Sequence, residues 1–109
     1  MAARRRRVVW SEQAAHALDE AVGYLAQDSV PAARRLLDDA LAAAASLDTL
    51  SERGSIAPET NDPAVRQLFV QRYRLLYEVT HDEVHVVAFL HQRQDITAWR
   101  RAPSPPSAG

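Results

Sequence analysis

The chain has 109 residues, 47% of them hydrophobic, which is enough for one domain with a small core. The absence of cysteine excludes disulfides, thiolate metal sites and a cysteine nucleophile, and no apolar run approaches the roughly 20 residues of a membrane span. The net charge of −1 hides a division: all 13 basic residues are arginine, residues 11–63 hold three of them against ten acids, and residues 64–109 hold six against four.

Arg4–Arg7 is a charge run with two readings, a solvated terminus or an anion-binding arm. It mimics the start of an export signal but lacks the apolar stretch that should follow, so a cytoplasmic location is expected. Residues 1–6 are expected to form a flexible basic N-terminus. Arg7–Trp10 has strand composition and must join a sheet by a crossover, being too short to pair with its neighbour. Ser11 is placed to cap a helix, with Glu12 near the positive end of its dipole. Ala14, Leu18, Val22 and Leu25 then recur at helical spacing. Residues 27–31 make a tight link in which Ser29 caps and Pro31 occupies a first turn, where its missing amide is harmless. A second helix is expected to run to about Leu50, with an apolar face of Ala33, Leu36, Leu37, Ala40, Leu41, Ala44, Leu47 and Leu50. So short a link makes the pair an antiparallel αα-hairpin.

Residues 51–63 contain Gly54, Pro58, Asn61 and Pro63 without any period, and read as a loop. Glu59 and Asp62 lack the spacing of a metal loop, so no metal and no cofactor is expected. Residues 65–91 read as a three-stranded meander, its tightest link at His81–Asp82. That link pairs Val79 with Val84, Tyr77 with Val86, Leu75 with Ala88 and Tyr73 with Leu90, eight apolar or aromatic residues on one face. The other face would carry Arg72, Arg74, Leu76 and Glu78 against His91, Phe89, Val87 and His85. The fold class is therefore α+β: a short N-terminal strand and an antiparallel two-helix hairpin, packed on a mainly antiparallel sheet with a three-stranded C-terminal meander. Residues 92–101 read as a short helix or an irregular closing segment. Residues 100–109, rich in Pro and Ser, are expected to be disordered.

With these residues in view, the chain resembles the RelE/ParE toxin superfamily of type II toxin–antitoxin systems. Four places carry the likeness: Val8-Val-Trp-Ser-Glu-Gln-Ala14, Pro31-Ala-Ala-Arg-Arg-Leu-Leu37, Tyr73-Arg-Leu-Leu-Tyr-Glu-Val79 and Leu90-His-Gln-Arg-Gln-Asp95. It implies a toxin domain over residues 7–99, a cognate antitoxin and one of two targets. RelE-like members are metal-free, ribosome-dependent mRNA endonucleases that use cationic side chains on an exposed sheet face. ParE-like members inhibit DNA gyrase without that nuclease set. Arg74 and Arg93 match nuclease arginines, but Val65 and Gln67 stand where the nucleases carry lysines, and Trp99 stands where they carry a tyrosine. The ParE-like branch is the better match.

Metal-free RNA cleavage requires a deprotonated 2′-oxygen, neutralised phosphorane charge and a protonated leaving oxygen. Arg74 and Arg93 could neutralise charge but do not give up a proton at pH 7. The nuclease candidates are thus Arg74, His91 and Arg93, with His91 as proton shuttle, and this requires His91 and Arg74 to share a face. The expected target- or antitoxin-binding set is Arg72, Arg74, Phe89, His91, Arg93 and Trp99. Structural alternatives stand beside these roles: Arg74 pairing with Glu78 or stacking on Phe89, His91 bonded to backbone at a strand end, and Trp99 as a hydrophobic lid. A third possibility is a non-toxic domain that only binds its antitoxin.

Overall fold

A computed structural model describes residues 5–57, 60 and 62–94 of the chain. Strand β1 (Arg7–Trp10) leads into helix α1 (Glu12–Ala26), and helix α2 (Val30–Ser46) follows after three residues. Strands β2 (Ser55–Ile56), β3 (Val65–Val70), β4 (Tyr73–Val79) and β5 (Glu83–His91) complete one five-stranded sheet in the order β1-β5-β4-β3-β2. β1 runs parallel to β5, and the other pairs are antiparallel. The crossover expected for β1 is therefore present, with the helical hairpin as the connection.

Local chemistry sets the helix starts. The Ser11 hydroxyl accepts from the Ala14 amide at 3.0 Å, and the Ser29 hydroxyl from the Ala32 amide at 3.2 Å. Each cap satisfies one amide that the helix itself leaves open. α2 ends at Ser46, earlier than expected: the backbone tightens at Leu47, which is fully buried, while Leu50 points outward at 56% exposure. The apolar period ran on past the last helical turn because Leu47 still reaches the core from a turn.

The main core lies between the hairpin and one sheet face. Ala14, Leu18, Leu36, Ala40, Ala44 and Leu47 pack against Val70, Leu75, Tyr77, Val84, Val86 and Phe89. Small residues on both helices let the backbones approach the sheet closely. Among the described residues, no helix is long and apolar enough to cross a membrane.

Two expectations for the sheet need correction. First, residues 51–63 are not all loop: Ser55 pairs with Gln67 and Ile56 with Arg66, which makes β2 an edge strand. Second, the β4–β5 register holds only up to Tyr77. Val79 pairs with Val84 and Tyr77 with Val86 as expected, but Leu76 then pairs with Ala88, Leu75 with Phe89, Arg74 with Leu90 and Tyr73 with His91. Val87 is the extra residue of a β-bulge, and every residue beyond it exchanges faces. Phe89 therefore enters the main core beneath the helices. Ala88 and Leu90 turn to the opposite face, where they cluster with Ala57, Val65, Leu76 and Val87.

Candidate interaction surfaces

The bulge divides the expected site. Arg74 stays on the sheet face away from the helices, and His91 moves to the helix side. The two were expected to share a face; they do not, because one inserted residue reverses the alternation between them. Arg72 lies exposed in the two-residue β3–β4 turn, where its carbonyl accepts from the Gln92 amide at 2.6 Å. Arg93 is exposed in the turn after β5. Trp99 lies outside the described residues.

On the face away from the helices, Arg74 is the direct cross-strand partner of Phe69. Its guanidinium carbon sits 5.8 Å from the centre of the Phe69 ring, and its Nη1 donates to the Gln67 side-chain oxygen at 3.4 Å. The ring remains 55% exposed. The alternative of stacking was right in kind, but the ring is Phe69, since Phe89 is buried. A planar cation held over an exposed aromatic ring is the composition of an interface anchor. Phe69 was absent from the expected set. Its signal was available: a turn at Gln71–Arg72 sets Phe69 opposite Arg74.

On the helix side, Tyr73 and Phe89 stack with centroids 5.0 Å apart, and the His91 ring meets Tyr73 edge-on at 5.2 Å. These rings border a groove whose other wall is α1, with Ala17, Ala21, His16, Glu20 and the largely exposed Tyr24. His91 is bound to its own turn: its Nδ1 accepts from the Arg93 amide at 3.1 Å. That matches the backbone-bonded alternative, and it leaves Nε2 as the ring position open to other partners.

The arginine run is held as far as it is described. Arg5 approaches Asp48 at 3.4 Å, and Arg6 donates to the Thr80 carbonyl and the Ser51 hydroxyl, both at 2.9 Å. Arg7 pairs with Glu83, whose other oxygen lies 2.8 Å from His85 Nε2. The hydrogen bonds from Arg7, and then that from His85, hold the Glu83 carboxyl below the usual carboxylate range.

A further constraint ties the loop after α2 to the sheet. The Gly54 amide donates to the Tyr77 hydroxyl at 3.0 Å, and its carbonyl accepts from Arg66 at 2.8 Å. Burial raises the Tyr77 phenol above its ordinary value, against the lowering effect of the Gly54 hydrogen bond. Among the described residues, no group of three His, Asp or Glu side chains could hold a metal ion.

The guanidinium of Arg74, which could meet a phosphate, and the imidazole of His91, which could move a proton, lie on opposite sides of the sheet. The sequence model of one family, described as ParE toxin of type II toxin-antitoxin system, parDE, matches residues 8–96. Among curated proteins, none matches significantly. A solved chain described as belonging to the chromosomal ParDE TA system from P. aeruginosa is similar in fold, with a TM-score of 0.67 at 18% identity, over 82% of this chain and 98% of that one.

Proposed function

Because the chain belongs to the ParE toxin family of type II toxin–antitoxin systems, we propose that it arrests growth by binding DNA gyrase in the cytoplasm rather than by cutting RNA, and that a cognate antitoxin neutralises it. The observation that supports binding over catalysis is the separation of Arg74 from His91 by the bulge at Val87. A phosphate seated on Arg74 has no imidazole on its own face except His85, and that ring is engaged with Glu83 at the far end of β5. The preference for gyrase rests on the resemblance to ParE-like members and on Val65 and Gln67 standing where the nucleases carry lysines.

The antitoxin is expected to contribute an apolar segment and acidic side chains. The groove of Tyr24, Tyr73, Phe89 and His91 offers aromatic walls for the former. Arg72, Arg74 and the exposed Phe69 offer cations and a ring for acidic or aromatic groups of the antitoxin or target. The sheet edges, β1 and β2, are places where a partner strand could add.

The test is induction of the gene alone, followed by assays with the purified chain. Growth arrest, slowed gyrase supercoiling or trapped cleaved DNA, and intact mRNA on the ribosome are expected. Selective cleavage of ribosome-bound mRNA overturns the gyrase reading. Absence of growth arrest would leave an interaction domain without toxicity.

A further inference from the structure

The outer edge of the sheet is only partly covered. β2 pairs just Ser55 with Gln67 and Ile56 with Arg66. Past them the edge of β3 continues through Leu68, Phe69 and Val70 with no described strand beside it. The Ala57 amide donates to the Val65 carbonyl at 3.1 Å, so Val65 turns its backbone groups outward. Alternation along the strand gives Phe69 the same direction. Its ring is 55% exposed. A groove of about 360 Å³ lies along this edge, between Phe69, Val70 and Gln71 on one side and Asp39, Ala42 and Ala43 of α2 on the other. Its two ends differ in charge. Asp39 marks the end at the β3–β4 turn, where Gln71 Nε2 donates to its Oδ2 at 2.8 Å. Arg53, which also lines the groove, marks the other end. Its Nη1 donates to Ser46 Oγ at 2.8 Å, and Ser46 lies two turns along α2 from Asp39, about 10 Å. Among the described residues, neither Asp39 nor Arg53 is in an ion pair.

We propose that two copies of this chain associate edge to edge here, about a two-fold axis beside Phe69. A two-fold reverses the direction of the second copy, so Arg53 of each copy faces Asp39 of the other. A ligand of one sign would meet repulsion at one end of the groove, whereas a reversed copy supplies both signs in the matching order. The residues between the charges are suited to close approach. Ala42 is exposed and Ala43 half-buried on the α2 wall, and side chains this small let two helices pass at about 8 Å. On the face away from the helices the two Phe69 rings meet across the axis as a cross-strand aromatic pair, each beneath its own Arg74. The outward amide and carbonyl of Phe69 gain a strand to bond to, and an edge open to foreign strands is closed by a copy of itself. β2 confines the overlap to Leu68–Gln71, so the interface is small and its dissociation constant micromolar rather than nanomolar. The dimer covers Phe69, so an antitoxin or target that uses this ring must part the two copies; only that consequence rests on the functional reading.

Sedimentation velocity of the full-length chain tests this directly. The weight-average sedimentation coefficient should rise from monomer toward dimer between about 1 µM and about 500 µM protein. Asp39→Arg and Arg53→Asp each set like charges across the axis, and each should raise the dissociation constant at least tenfold. Mixed in equal amounts, the two variants should recover association, because every contact between them again joins opposite charges. Circular dichroism of each variant alone checks that the fold is kept. In a half-labelled wild-type sample, nuclear Overhauser contacts between Phe69 rings of different molecules are expected, a readout that needs no substitution. A chain that stays monomeric through that range, association unchanged by both single variants, or a mixture of folded variants that stays monomeric would each overturn the proposal. So would a dimeric sample without intermolecular Phe69 contacts, which decides the matter even if a variant unfolds. None of these readouts depends on toxicity, an antitoxin or gyrase, so the proposal and the functional reading can fail separately.

Discussion

Replacing Tyr77 by phenylalanine removes one oxygen from the buried corner where the loop after α2 meets the sheet. The Gly54 amide donates to that oxygen at 3.0 Å, in a buried setting. Without it the amide keeps its desolvation penalty and loses its partner, which costs about 1–3 kcal/mol. With a urea m-value of about 1.5 kcal/mol/M, a loss of about 2 kcal/mol lowers the unfolding midpoint by about 1.3 M. Gly54→Ala attacks the same corner sterically. Its Cβ would lie 2.5 Å from the Gln67 carbonyl oxygen and 2.7 Å from the Tyr77 hydroxyl. The carbonyl belongs to β3 and yields little, so about 1–3 kcal/mol is expected there too. The double variant relieves the hydroxyl clash but not the carbonyl clash, so the two losses should add to less than their sum. The phenol also sets an alkaline limit. Burial raises its pKa in the folded state, so its contribution is intact below the unfolded value of about 10 and is lost as pH rises through the folded value. In Tyr77→Phe that part of the alkaline loss should vanish. Urea titrations at neutral pH and above pH 10 read both effects. A Tyr77→Phe midpoint within about 0.2 M of wild type, against the expected 1.3 M, would refute the claim that this hydroxyl holds the loop.

Glu83 should show the opposite sign at acid pH: its pKa is lowered, first by Arg7 and then by His85, so its contribution is present above about 4.5 and lost as pH falls through the folded value. Arg7→Ala should flatten that acid limb in thermal melts between pH 3 and 6. Gln71 opens the β3–β4 turn at φ 54°, a left-handed conformation that favours glycine. Gln71→Gly should gain about 0.5 kcal/mol, after loss of its exposed bond to Asp39, and Gln71→Val should lose about 1–2 kcal/mol, both read from urea midpoints. Arg74→Glu should weaken binding of the antitoxin or gyrase partner that meets Phe69 and Arg74 by at least tenfold in calorimetry, about 1.4 kcal/mol. Unchanged affinity for both partners would mean that this face is idle.

Much of the fold was legible because its signals are local. Ser11 and Ser29 announce helix starts through the bonds their hydroxyls make, and the three-residue link forces the hairpin. The tight turn at His81–Asp82 set the first part of the β4–β5 register. β2 had no such signal: two residues become a strand only because β3 offers them a ladder. The site was less legible for a related reason. From Val86 to Leu90 every residue is apolar, so alternation gives no vote on which side each one faces. Sequence alone determined β1, the two helices, the three meander strands, their order and the greasy stretch of β5. Only tertiary structure decided that Val87 would bulge, sending Phe89 and His91 toward the helices while Arg74 kept the other side. That choice depends on how tightly Phe89 fits under α1 and on what Ala88 and Leu90 find opposite them, and packing between distant segments is not written in any local pattern.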